Sequence, residues 1–68
     1  MDEAEGIFKQ ALSEQEAGRW AEARRLYESL LVARPRLPAL RNNLAVCCLE
    51  MGEAERALGL LDFDSPSA

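Results

Sequence analysis

Apolar residues recur three or four positions apart in four successive segments of the chain. Because an α-helix has 3.6 residues per turn, this spacing places the apolar residues of each segment on one face of a helix. No segment has the pattern of a strand. The pattern therefore predicts four helices, which are expected at about residues 2–17, 20–34, 38–51 and 53–62.

Capping and helix-breaking residues separate these segments. Asp2, followed by Glu5 three positions later, resembles a capping box and is a suitable start for the first helix. Gly18 and Gly52 follow the first and third helices, where glycine commonly ends a helix. Pro38 suits the first turn of the third helix. Since the turns are short, sequential helices are expected to pack antiparallel.

The chain contains an internal repeat of 34 residues. Small residues recur at this distance in three pairs: Gly18 and Gly52, Ala11 and Ala45, and Ala23 and Ala57. A helix–turn–helix unit of this period resembles the tetratricopeptide repeat, whose pattern is W-x2-L-G-x2-Y, then A-x3-F, then P. The resemblance covers about residues 4–62, nearly the whole sequence.

Both copies can be matched to the family pattern position by position. In the first copy the pattern falls on Ile7, Gln10, Ala11, Glu14, Ala23, Tyr27 and Pro35. In the second copy it falls on Arg41, Leu44, Ala45, Cys48, Ala57 and Leu61. The resemblance implies an all-α fold in which two antiparallel helix–turn–helix hairpins stack as a short α-solenoid. The two repeats are expected at residues 4–37 and 38–62, the second one truncated, with a flexible tail at 63–68.

Three positions depart from the family pattern. Gln10 and Glu14 stand where the family has apolar residues that face the partner helix. The first helix is therefore expected to be rotated, looser, or a cap with a polar side. Arg41 stands where the family has a large aromatic residue.

Charge is distributed in three blocks. The 68 residues make one small domain at most and carry a net charge of −4. Residues 1–18 and 42–68 each sum to −4, whereas residues 19–41 hold six arginines and two acids and sum to +4. Such blocks either form a solvated helical surface or favour stacking between molecules. A nucleic-acid partner is not expected, since no aromatic residues alternate with the arginines and both flanking blocks would repel phosphate.

The residues that usually carry chemistry do not form a catalytic or metal-binding pattern. Cys47 and Cys48 are adjacent, and adjacent residues on a helix point about 100° apart. Without histidine or a third cysteine they cannot complete a zinc site, so they are expected to be core residues. The sequence predicts no enzymatic activity, no metal and no cofactor. It also has no apolar run of membrane-spanning length and an acidic N-terminus, so a cytoplasmic location without membrane contact is expected.

The resemblance implies a concave surface that binds an extended peptide or a partner helix. In the first copy this surface would comprise Glu5, Phe8, Leu12, Gln15 and Glu16. In the second it would comprise Ala39, Asn42, Val46, Leu49 and Glu50. An apolar floor with an acidic rim favours a basic, amphipathic partner. The alternative is that Phe8 and Leu12 are core residues of a rotated first helix.

Two functions of different classes follow. The first is a protein–protein interaction module or adaptor that uses the concave surface. One subgroup of the family clamps a C-terminal carboxylate there, but such a clamp is not expected here, because Phe8 and Leu12 stand where that subgroup has Lys and Asn. The second is a structural element that forms homo-oligomers through its uncapped repeat ends. There the chain has Leu58, Leu61 and Phe63, which lack a following repeat to lie against.

Overall fold

The computed structural model describes residues 3–61 and contains four helices joined by short turns. They are α1 (Glu3–Glu16), α2 (Trp20–Ala33), α3 (Pro38–Glu50) and α4 (Ala54–Leu61). Each helix packs against the next one in the sequence, and none of the residues in this range forms a strand. The prediction of an all-α fold made of two stacked helical hairpins is confirmed. The predicted cap at Asp2 and the predicted tail at 63–68 lie outside the described residues.

One apolar core runs through all four helices, and no polar or charged residue is buried within the described range. The alanines of the internal repeat are all buried. In the family that the chain resembles, small residues at these positions lie where the paired helices approach closely. Larger side chains fill the space around them. The other buried residues are Tyr27, Leu30, Leu40, Leu44, Cys47, Cys48 and Leu60.

The two glycine turns end the preceding helices in the same way. Gly18 has a φ of 82° and Gly52 a φ of 80°, both in the left-handed region. After α1 the Arg19 amide donates to the Glu14 carbonyl at 2.9 Å. The Gly18 amide donates to the Gln15 carbonyl at 3.0 Å, which completes a Schellman motif. The corresponding bonds after α3 run from Glu53 to Cys48 and from Gly52 to Leu49.

Replacement of two glycines by alanine is expected to have opposite effects. Gly52→Ala should lower the free energy of unfolding by roughly 1–2 kcal/mol, because an alanine Cβ is strained at positive φ. Gly59→Ala should raise it by roughly 0.5–1 kcal/mol, since Gly59 lies within α4 with no atom near the added Cβ. Chemical denaturation of both variants measures the two shifts. Equal shifts of the same sign would contradict the assigned backbone conformations.

Arg41 joins the turn before α3 to the end of α4. Its guanidinium donates to the carbonyl oxygens of Pro35 at 2.8 Å and Leu60 at 2.9 Å. A longer contact of 3.5 Å reaches the Gly59 carbonyl. A positive charge beside the last carbonyl groups of a helix is favourable. Arg41 therefore replaces the packing of the family's aromatic residue with hydrogen bonds across the second hairpin.

Candidate functional site

One face of α3 points away from the core. On this face Asn42, Leu49 and Glu50 are exposed and Val46 is half-buried. The side chain of Leu49 is 53% exposed, so it offers apolar surface to solvent. The opposite face of the same helix carries the five buried residues of α3. The residues predicted for the concave surface in the second repeat therefore share one outward face.

The corresponding residues of α1 lie at the border between core and solvent. Phe8 and Leu12 are half-buried, whereas Glu16 is exposed. The Phe8 ring meets the Tyr27 ring edge to face, with centroids 5.5 Å apart and an interplanar angle of 71°. Phe8 thus packs against the core and also keeps an accessible side. The contact with Tyr27 agrees with the core alternative for Phe8, and its place in the floor of a binding surface stays a prediction.

Tyr27 fixes the position of α1 on α2. Its side chain is fully buried, and its hydroxyl donates to Gln15 Oε1 at 2.7 Å. Burial, with smaller contributions from Cys47 and Glu16, raises the pKa of Tyr27 to about 12. The hydroxyl therefore remains a protonated donor at neutral pH. Gln15, which was predicted to belong to the concave surface, has its amide oxygen engaged by this bond.

A cleft of about 400 Å³ opens where α1, α2 and the start of α3 meet. Its walls are mostly apolar, and Glu5 and Arg34 add charges of opposite sign. Phe8 belongs both to this cleft and to the predicted floor, whereas the predicted residues of α3 do not line it. The cleft was not predicted from the sequence, because its walls come from three separate segments. The available signal was Leu37, a leucine between two prolines. The lining residues are Ala4, Glu5, Phe8, Leu30, Arg34, Leu37 and Leu40.

Arginines of the positive block form ion pairs within the chain. Arg24 lies between two carboxylates, 2.7 Å from Glu53 and 3.2 Å from Glu28, and the hydrogen bond to Glu53 is the main cause of its raised pKa. Arg56 of α4 lies 2.6 Å from the same Glu28. Two further pairs, each between an arginine and a nearby glutamate, are Arg19 with Glu14 and Arg25 with Glu22. Ion pairs that are this exposed to solvent add little to stability, but they compensate part of the positive charge of the block.

The two cysteines are core residues, as predicted. Cys47 and Cys48 are free thiols without solvent exposure, and burial raises the pKa of both. A protonated, inaccessible thiol is a poor nucleophile. Within residues 3–61, no group of three or more potential ligands could hold a metal ion. Among these residues, none of the four helices has the length and the apolar composition that a membrane span requires.

The outer face of α4 is a second candidate interaction surface. Leu58 is 66% exposed and Leu61 is 47% exposed. Phe63, the third residue predicted for self-association, lies outside the described residues. The described part of this surface is therefore apolar and open to solvent.

Stacked helical hairpins with a 34-residue period define a helical-repeat protein of the α-solenoid class. A comparison with protein families matches the tetratricopeptide repeat over residues 15–62, which is more than half of the chain. The chain belongs to the tetratricopeptide repeat family. Repeats of this family generally mediate protein–protein interaction and are generally not catalytic. Comparisons with curated proteins and with solved structures found no match.

Proposed function

We propose that this protein is a non-enzymatic interaction module that binds a peptide or amphipathic helix along the outward faces of α1 and α3. The observation that carries the proposal is the exposure of Leu49 beside the half-buried Val46, on a helix whose other face is filled by core residues. Phe8 and Leu12 supply similar half-buried surface on α1. Apolar area of this kind gives affinity when a partner covers it.

The charges around this surface favour a basic partner. Glu16 on α1 and Glu50 on α3 are exposed acids. The nearest run of positive charge, in α2, already pairs with glutamates of the same chain. Acidic rim charges attract lysine and arginine residues and mainly accelerate the encounter of the two molecules.

The cleft beside Phe8 provides a place for an anchoring side chain. Its volume of about 400 Å³ lies in the range of roughly 300–1,000 Å³ that is common for ligand sites. Leu30 and Leu40 form apolar walls, while Glu5 and Arg34 offer one charge of each sign. We propose that a large apolar residue of the bound peptide inserts here.

A pair of designed peptides tests the proposed surface. Both are amphipathic helices with leucine on one face. On the opposite face, one peptide carries lysine and the other carries glutamate. The lysine peptide should bind at least tenfold more tightly than the glutamate peptide. Val46→Glu and Leu49→Glu should each weaken its binding at least tenfold, because they place a charge in the apolar floor.

Val32→Glu is the matched control for these variants. Val32 is 86% exposed on α2, so the substitution adds the same charge outside the proposed surface and should leave binding unchanged. Far-ultraviolet circular dichroism reports whether the variants remain helical. If Val46→Glu destroys helicity, Val46 is a core residue and the proposed surface does not exist in this form.

Charge reversal at the rim should act on kinetics. Glu16→Lys and Glu50→Lys should slow association with the lysine peptide and weaken its dependence on salt, whereas dissociation should change little. Stopped-flow measurements at several salt concentrations separate these rates. An unchanged association rate in both variants would contradict an acidic rim at these positions.

A second candidate function is assembly of several chains through the α4 face. The exposure of Leu58 and Leu61 favours it, since association would remove these side chains from water. Leu61→Lys should then shift an associated form towards the monomer, because burying an unpaired charge is costly. Sedimentation at increasing concentration measures this shift. A wild-type chain that remains monomeric at millimolar concentration would contradict self-assembly.

A further inference from the structure

The cleft beside Phe8 is apolar at its floor and charged at its mouth. Leu40 is 0% exposed and Leu30 is 5% exposed, so these two side chains form the floor. Phe8 is half-buried and forms a side wall, whereas Glu5 and Arg34 are exposed and stand at the mouth. An occupant that fits this lining has an apolar far end and places any polar group close to its own backbone.

We propose that this cleft binds the indole ring of a tryptophan. The tryptophan would be the anchoring residue of the peptide in the function proposed above, on which the inference rests. A volume of about 400 Å³ accommodates this largest of the natural side chains. The six-membered ring of the indole lies on Leu30 and Leu40. The indole N–H is closer to the backbone of the peptide and faces the mouth, where the Glu5 carboxylate accepts its hydrogen bond.

Two residues of the lining favour an aromatic ring over an aliphatic side chain. The Phe8 ring contacts Tyr27 edge to face, with centroids 5.5 Å apart, and its accessible side can contact an inserted ring in the same way. Aromatic pairs of this kind are stronger than their buried area alone implies. The guanidinium of Arg34 can lie over the inserted ring, and this cation–π contact uses the plane of the group without requiring its N–H donors.

Other side chains match the lining less well. Lysine, arginine and tyrosine carry their polar group at the far end, where it would lie against the leucine side chains of the floor and lose its hydrogen bonds with water. Aspartate and glutamate would bring a second negative charge next to Glu5. Phenylalanine and leucine suit the floor, but they have no donor for the Glu5 carboxylate. Tryptophan combines an apolar far end with a donor near the mouth.

Small molecules that correspond to single side chains test this ranking. They are 3-methylindole for tryptophan, 1,3-dimethylindole for the same ring without its N–H, toluene for phenylalanine and p-cresol for tyrosine. Each is titrated into the isotope-labelled full chain and followed by NMR. 3-Methylindole should shift the resonances of Phe8, Leu30 and Leu40. It should bind roughly threefold to tenfold more tightly than 1,3-dimethylindole, which lacks the hydrogen bond. p-Cresol should bind more weakly than toluene, because its hydroxyl would enter the apolar floor.

Substitutions at the mouth separate the two polar contacts. Arg34→Met keeps an apolar side chain but removes the cation, so it should weaken 3-methylindole roughly twofold to fivefold. Glu5→Ala should abolish the difference between 3-methylindole and 1,3-dimethylindole, since it removes the acceptor. Arg36→Met and Glu3→Ala are the matched controls: both residues are exposed and lie outside the cleft, so neither substitution should change these affinities.

A set of peptides links the cleft to the proposed binding surface. Each leucine of the designed lysine peptide is replaced in turn by tryptophan, and one of these peptides should displace 3-methylindole from the cleft. The proposal is overturned if none does so. It is also overturned if millimolar 3-methylindole leaves the cleft resonances unshifted, if p-cresol binds as tightly as 3-methylindole, or if Arg34→Met and Arg36→Met have equal effects.

The indole site and the proposed peptide surface can fail separately. A lysine peptide that binds and is weakened by Val46→Glu, together with no binding of 3-methylindole, would refute the indole site and leave the peptide surface intact. Selective binding of 3-methylindole together with no binding of any lysine peptide would refute the surface along α1 and α3. In that case the tryptophan of a peptide would not reach the cleft, and the proposal made here would fall with it.

Discussion

Tyr27→Ala should unfold most of the protein at room temperature. The side chain is fully buried, contacts Phe8 edge to face and donates a hydrogen bond to Gln15. Truncation of a buried aromatic residue to alanine typically costs roughly 3–5 kcal/mol. A single core of this size supplies about the same amount in total. Urea denaturation followed by circular dichroism should show that the folded baseline is lost.

Two further variants separate the contributions of Tyr27. Tyr27→Phe keeps the ring and removes the hydroxyl, so it should cost only about 0.5–1.5 kcal/mol through the lost hydrogen bond. Leu61→Ala changes the corresponding position of the second repeat, which is half exposed, and should cost far less than Tyr27→Ala. If Tyr27→Ala and Leu61→Ala have equal effects, Tyr27 does not hold α1 and α2 together as described.

Ala45→Trp should also prevent stable folding. Ala45 is buried in α3 within the core, at the repeat position where small residues let helices approach closely. Overpacking a well-filled core costs roughly 1–3 kcal/mol and occasionally more, and an indole is a much larger addition than a methylene. Thermal unfolding followed by circular dichroism should show either a strongly reduced Tm or no cooperative transition.

Ala39→Trp provides the matched control on the same helix. Ala39 is exposed, so the same side chain can extend into solvent and the melting temperature should change little. A normal Tm for Ala45→Trp would mean that the space around Ala45 is larger than the structure indicates. The assignment of Ala45 to a close helix contact would then be wrong.

The fold could be predicted because single residues at fixed positions of each repeat indicate it. A glycine at the end of each first helix of a pair and alanines 34 residues apart fix where helices stop and where they approach. The structure has the Schellman motif at both Gly18 and Gly52, and it buries the alanines of both copies. The core position of Cys47 and Cys48 was predicted correctly, because both lie in a run of apolar residues from Leu44 to Leu49.

The roles of Arg41 and Glu14 could not be predicted in the same way. Arg41 donates to carbonyl oxygens at the end of α4. These acceptors are backbone groups, which every residue has, so the amino-acid sequence does not indicate which of them are available. Glu14 departs from the family pattern, but it pairs with Arg19, five residues later and beyond a glycine turn. In both cases the partner is determined by how a helix ends. Periodicity describes only the interior of a helix.

The surface available for binding was predictable only in part. The exposed face of α3 follows from helical periodicity, because the residues opposite a buried stripe must face outward. Phe8 did not follow, since its exposure depends on how α1 is rotated against Tyr27. The cleft beside Phe8 depends on three segments meeting in space and was missed.

The packing of each helix mainly against its neighbours in the sequence has a consequence for how the molecule opens. Within residues 3–61, the main packing runs from α1 to α2, from α2 to α3 and from α3 to α4. In such a linear arrangement each unit is stabilised by the interfaces on its two sides, as in a one-dimensional chain of coupled elements. The terminal helices each have one such interface and the middle helices have two. We therefore expect partial unfolding of this range to start at α1 or α4, and the backbone amides of α2 and α3 to exchange with solvent last.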